Sequence, residues 1–352
     1  MPAFPPDKFI LDVLPDESTV DVAARTLHNR LRTVLHYLVL AAREKDPDGE
    51  HIHQLRVWSR RAIAALDLYR SLLPRHRREW MRKRLKRVRR MAGDARDCDV
   101  LVQRLNAKRS TKSRKRWLES LSIERAEQQR AIVASHERLT RDDHLARRID
   151  ALLARVRDDG DERYDRVPTP FVDWARAHLP ITLEEFFAAV PIDHTDAAAL
   201  HRFRIRGKQL RYAMELLAGA FPEQFRATLY PSVEALQERL GEINDLATAK
   251  ARLQDKIATA DGAADVAAWR RLLAQERAQL DRARCAFGEW CTPVMLSELR
   301  QGFAALLCEP PAISPEPARR ATGALPDARV GADLTRGHRI APHNDGPAAD
   351  AG

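Results

Sequence analysis

Two short runs of the 352-residue chain place histidine at the head of a pair of cations: His53, Arg56 and Arg60, then His201, Arg204 and Lys208. On a helix, spacings of three and seven residues put such side chains on one stripe. Arginine forks bind two oxygens at once, lysine offers a point charge, and histidine donates hydrogen bonds, more strongly when protonated near its ordinary pKa of about 6.5. The chemistry open to such a stripe is oxyanion binding. A structural, hydrogen-bonding histidine is the second reading and a metal ligand the third, the latter disfavoured by the cationic company. A phosphohistidine role would need a nearby acid or phosphodonor site, and none is identified. An ordinary solvated helix face is the bland alternative for any Arg-rich helix. Such a face has no reason to repeat histidine at its head with cations at the same two following positions.

Both runs lie beside apolar stripes of helical period. Leu55, Ala62, Leu66, Tyr69 and Leu73 form one; Phe203, Leu210, Met214, Leu217 and Phe221 form the other. Arg211 extends the second basic stripe by one turn. A shift of 148 positions aligns His53 with His201, Arg56 with Arg204, Arg60 with Lys208, Pro74 with Pro222, Gly93 with Gly241 and Asp97 with Asp245, without a gap. Coincidence of His, Pro, Gly and Asp on one offset implies an internal duplication. If the halves pack about a pseudo-twofold axis, the two stripes converge on one basic cleft.

The elements that must carry them read as helix after helix. Segments are predicted near 17–45, 50–73, 76–92, 97–109, 112–140 and 142–158, then 170–189, 195–219, 223–240, 245–260, 263–290 and 293–307, with no convincing strand. Pro74 and Pro222 end the histidine-bearing helices. Gly93 and Gly241 suit C-terminal stops, with Asp97 and Asp245 as N-caps of the helices that follow. Asp67 and Glu215 are expected to pair with neighbouring bases. Between Pro74 and Gly93, Met81, Leu85, Val88 and Ala92 make an apolar side, and Lys83, Lys86 or Arg87, and Arg90 a basic one. The counterpart has Val233, Leu236 and Leu240 with Glu234, Glu238 and Glu242, so the first half should carry more of the positive potential.

The chain as a whole has a net charge of +10, and 44% of its residues are hydrophobic. Residues 75–90 hold ten Lys/Arg against the single acid Glu79. Such a surface attracts anions of several kinds: nucleic acid, anionic lipid or a phosphate polymer. Cys98, Cys285, Cys291 and Cys308 show no CxxC spacing, so no disulfide framework or zinc site is suggested. No run reaches the roughly 18 apolar residues of a membrane span, and a soluble cytoplasmic protein is expected. Residues 1–16 read as an irregular lead-in. Residues 308–352, rich in Pro, Ala and Gly, read as a disordered tail.

His-x-x-Arg-Val-x-x-Arg-Arg at 53–61, Gly-x-x-Arg-Asp-x-Asp-Val at 93–100, His-x-x-Arg-Ile-x-x-Lys-x-x-Arg-Tyr at 201–212 and Leu-Gly-x-x-Asn-Asp at 240–245 resemble the four signatures of the CHAD (conserved histidine α-helical domain) family. The resemblance covers about residues 19–307. It implies an all-α fold over 17–307, with helical-bundle halves at 17–160 and 170–307 related by a pseudo-twofold axis. It further implies that inorganic polyphosphate binds the basic groove between them. The matched positions place His53, Arg56, Arg60, Arg61, Arg96, His201, Arg204, Lys208, Arg211 and Tyr212 at that ligand, and Lys83, Arg87 and Arg90 are expected to join them from the basic side of the helix after Pro74. No cofactor and no metal are expected. Association with polyphosphate granules is a further expectation. The family is often fused to a CYTH triphosphatase domain; the Glu-x-Glu-x-Lys motif of that domain is absent, so a stand-alone, non-enzymatic binding module is expected. Nucleic-acid binding is the alternative, weakened by 6% aromatics with few interleaved among the basic runs. A His/Asp phosphohydrolase lacks a nucleophile, a metal cluster and a general base at usable spacing.

Overall fold

The computed structural model describes residues 6–14, 16–43, 49–106, 112–162, 169–259 and 263–308. The tail assigned to 308–352 therefore lies outside them, apart from Cys308. Among the described residues, ten α-helices run in the order α1 (Thr19–Arg43), α2 (Glu50–Leu68), α3 (Arg75–Asn106), α4 (Lys112–Thr140), α5 (His144–Glu162), α6 (Phe171–Phe187), α7 (Ala197–Leu217), α8 (Tyr230–Ala258), α9 (Ala263–Trp290) and α10 (Pro293–Cys308). Among the described residues there is no strand, only an isolated bridge between Ser18 and Pro170. The four cysteines are free thiols.

Each helix is held by the stripe its sequence displays. Val22, Leu27, Leu31, Val34 and Leu38 of α1 are buried against α2, α4 and α5. Every apolar residue named above for α2 and α7 and their C-terminal extensions is buried, from Leu55 to Leu73 and from Phe203 to Phe221. Burying a Leu or Phe side chain contributes about 1.5–3 kcal/mol, so these stripes fix how both helices are rotated. Leu73 and Phe221 are extended (φ −115° and −128°), as the prolines after them require. α2 packs on α3 and α7 on α8, while α2 and α7 also touch each other. A second core, remote from that contact, gathers Leu101, Leu105, Trp117, Leu121, Leu253, Trp269 and Leu273 from the far ends of α3, α4, α8 and α9. There Trp117 and Trp269 meet edge to face at 4.8 Å, flanked by Arg104–Glu276 (3.2 Å) and Arg252–Glu124 (3.6 Å) ion pairs.

The expected stops at Gly93 and Gly241 do not occur, and Asp97 and Asp245 are not caps. α3 and α8 run unbroken through both positions. The apolar stripe continues past each glycine, through Ala95, Leu101 and Leu105 in α3 and through Ile243, Leu246 and Leu253 in α8. That burial outweighs the roughly 0.5–1 kcal/mol a glycine costs within a helix.

The lead-in is irregular but docked. Arg30 is buried in α1 and donates to the carbonyls of Asp7 and Lys8, while the Ile10 amide donates to the Glu215 carbonyl of α7 at 3.0 Å. The Glu215 carboxylate, 1% exposed, is the buried anion beneath. It accepts from Arg61 Nε at 2.7 Å, Arg211 Nη1 at 3.1 Å and the Tyr230 hydroxyl at 3.0 Å. Arg30 and Arg61 both lie over the ring of Trp58, at 5.0 and 4.8 Å. Asp67, 148 positions before Glu215, accepts from Arg82 at 2.7 Å, and Arg82 is 148 positions before Tyr230.

Candidate functional site

Because the apolar stripes of α2 and α7 face the core, the cations beside them are left at the edge of the α2–α7 contact, partly buried. Arg56 and Arg60 of α2 and Arg204 and Lys208 of α7 feel one another's charge. Lys208 shows the result most clearly: burial first, then Arg60, Arg204, Arg56 and Arg211, pull its pKa down to about 6. Burial and Arg60 also lower Arg56 and Arg204. Two carboxylates oppose the repulsion. Asp97 lies 3.6 Å from Arg56, and Asp245 acts on both arginines. The mid-helix aspartates are therefore counter-ions of the cluster.

α3 runs beside α2 and adds cations along the same edge. Arg89 lies within the field of Arg60 and Tyr212, Gly93 sits against Arg56, and Arg96 acts on His53. Residues 89, 93 and 96 are spaced i, i+4 and i+7, one stripe of α3. Arg89 was not among the sequence-derived candidates. Its signal was its place four residues before Gly93 and seven before Arg96. Arg90 is exposed and acts on Asp94, Lys83 is exposed, and Arg87 is felt by Arg138 of α4, on the other side of α3.

The structure thus brings together His53, Arg56, Arg60, Arg96, Arg204, Lys208, Arg211 and Tyr212. His53 has its pKa lowered by burial and by Arg96, which favours the neutral ring in the free protein. His201 is exposed in the second turn of α7, one turn before Arg204. Arg61 is directed to Glu215 and anchors the cluster from below. Arg211 shares that anchor: burial works against its charge, but Tyr212, Glu215 and Tyr230 outweigh it and raise its pKa. Its guanidinium also lies 4.8 Å over the Tyr212 ring.

α8 holds α7 in place through a close approach. The Gln237 amide donates to the Arg204 carbonyl at 3.3 Å and fills the space a side chain at Gly207 would need. A Cβ there would run into that amide, so any larger residue at 207 must displace the end of the Gln237 side chain. Above it, Arg204 Nε is buried with no acceptor. Buried donors in native proteins are nearly always satisfied, so an orphan beside four further cations marks a place for an acceptor. Among the described residues no group of three His, Cys, Asp or Glu side chains is placed to hold a metal ion. No helix among them is long and apolar enough to cross a membrane.

A family model described as the CHAD domain matches residues 25–254. The crystal structure of the CHAD domain from the plant Ricinus communis superposes with a TM-score of 0.63, at 23% identity over 87% of this chain and 97% of that one. PptA from Streptomyces chartreusis superposes with a TM-score of 0.56, at 19% identity over 81% of this chain and 100% of that one. No curated protein sequence matches the chain.

Proposed function

The chain belongs to the CHAD family, and from that premise we propose that it is a non-enzymatic binding module for inorganic polyphosphate. In this reading two helical halves, related through the 148-residue offset, form a basic groove along the α2–α7 contact. The observation that carries it is the cation cluster: burial first, then repulsion from Arg60, Arg204, Arg56 and Arg211, pulls the Lys208 amine down to about 6, although Asp97 and Asp245 oppose part of that charge. Like charges packed this closely lower stability, and they are tolerated where a ligand supplies the missing anion. The ligand should be a phosphate chain without bases. The aromatics at the cluster are engaged with protein groups, Tyr212 under Arg211 and Tyr230 on Glu215, leaving oxyanions as the feature to recognise. Residence on polyphosphate granules or on soluble polymer in the cytoplasm follows from the same reading.

The test is competition: labelled long-chain polyphosphate challenged with DNA, RNA, heparin and ATP at matched charge concentration. Unlabelled polyphosphate should displace at least tenfold better than any of the others. Equal displacement by DNA or RNA would replace this reading with nucleic-acid binding.

A further inference from the structure

A second basic site lies on the opposite side of α3. Trp80, Arg84, Arg138, Arg141, His144 and Arg147 line a cavity of about 280 Å³ where α3 meets the α4–α5 turn. Arg148 and Arg84 both sit over the Trp80 ring, at 5.0 and 5.3 Å, and His144 packs on it edge to face. Arg87 and Arg84 press on Arg138 from α3. Asp142 is the one acid in the lining. Among the described residues, Arg84, Arg87, Arg138, Arg141, Arg147 and Arg148 form no ion pair. The turn at the rim is strained. Asp142 and Asp143 hold φ of 49° and 52°, which costs a non-glycine residue of order 1 kcal/mol or more and is typical of functional sites.

Resting on the polyphosphate reading above, we infer that this cavity is a second oxyanion site, and that one long phosphate chain crosses α3 to occupy both. The guanidinium groups stacked on Trp80 keep their edge N–H donors while losing little freedom on binding, which suits phosphate oxygens. Because two arginines and a histidine already take up the ring, a nucleobase would find no platform, so a base-free chain is favoured over nucleic acid. α3 supplies the path between the sites. Arg89 faces the cluster, Arg87 faces the cavity, and Lys83, Lys86 and Arg90 are exposed. The crossing combines one helix diameter, about 10–12 Å, with the rise along α3 from Arg84 to Arg89, about 7.5 Å at 1.5 Å per residue. A chain long enough to reach both sites gains avidity without new chemistry, whereas a short one fills a single site.

The experiment compares tripolyphosphate, long-chain polyphosphate and duplex DNA on three proteins: wild type, Arg138→Glu with Arg147→Glu, and Arg56→Glu with Arg204→Glu. Both cavity residues are exposed, and an Arg138→Gln, Arg147→Gln pair guards against misfolding caused by the reversed charges. The cavity variants should bind tripolyphosphate within about twofold of wild type and long chains at least tenfold more weakly. Unchanged long-chain affinity would overturn the second site, and so would an equal loss on both ligands, which is the mark of diffuse electrostatics. Loss of duplex DNA binding alone would assign the cavity to nucleic acid instead. If the Arg56, Arg204 variant keeps wild-type affinity for both polymers, the polyphosphate reading of the α2–α7 cluster fails, whatever the cavity does.

Discussion

The helix pairs α2–α3 and α7–α8 use the same positions for different ends. Arg89 and Arg96 of α3 correspond, 148 residues on, to Gln237 and Asn244 of α8, and Lys86 and Arg90 correspond to Glu234 and Glu238. In the first pair the neighbouring helix adds charge, with Arg89 on Arg60 and Arg96 on His53. In the second it adds packing, with Gln237 braced on the Arg204 carbonyl against Gly207. A cluster of like charges needs a support that does not raise the repulsion further, and a neutral amide on one side supplies it. In the proposed reading, that inequality between the two helix pairs is what lets one site be both strongly basic and folded.

The largest effect should come from striking both pairs at once. Replacing Arg56 and Arg204 by Glu removes two charge-assisted contacts worth about 1.5–3 kcal/mol each, so polyphosphate affinity should fall at least about a hundredfold. Circular dichroism and the unfolding transition should stay near wild type, because neither side chain is on the apolar stripe. Glu at Arg319 and Arg320 matches the charge change and should cost under threefold; a loss equal to the first would dissolve the site into general electrostatics.

Giving α3 the residues of α8, Arg89→Gln with Arg96→Asn, should weaken binding about tenfold, whereas Asn244→Ala should change it by no more than about twofold. Equal losses by titration calorimetry would erase the contrast between the pairs.

Proton linkage sharpens the contrast further. Lys208 is held near 6 in the free protein, and an anion beside it favours the charged form, so its pKa rises on binding. Affinity should therefore strengthen as pH falls from about 8 to 6, by at most tenfold per unit for one proton, and level off below. His53, lowered by burial and Arg96, adds the same sign over the range below its ordinary value of about 6.5. Lys208→Arg should flatten the profile at constant ionic strength; an unchanged slope would return the linkage to the histidines.

The smallest effect separates two glycines. Gly207→Ala should destabilise by about 1–2 kcal/mol as Gln237 is displaced. Gly241→Ala, with nothing within 4 Å of the new methyl, should stabilise by about 0.5–1 kcal/mol. Thermal melts that move in the same direction would contradict the close approach.

The apolar faces of α2, α3, α7 and α8 were legible because burial repeats with the helical period, and Leu55 through Leu73 shows it without an exception. Phase on the polar side was not. In a run with ten cations, both flanks of α3 are basic, and only the crossing with α2 chooses Arg89 and Arg96 over Arg87. Gly93 and Asp97 misled for a related reason: each is a good local terminator, but Ala95, Leu101 and Leu105 bury a continuing stripe that local propensity does not register. Glu215 was expected to pair, and spacing reaches Arg211, four residues before it on α7; Arg61 and Tyr230 come from two other helices, which spacing along the chain does not reveal.

The clasp of residues 7–10 on Arg30 and Glu215 also bears on synthesis. The lead-in leaves the ribosome well before α7, and the Ile10 amide finds its acceptor only when position 215 has been made, about 10–40 s later at 5–20 residues per second. During that interval Arg30 lacks the Glu215 charge that favours its buried guanidinium, although α2, α4 and α5 are already there for α1 to close against. A segment translated early is thus among the last to be secured, so the nascent protein must keep residues 7–10 in reserve until the seventh helix emerges.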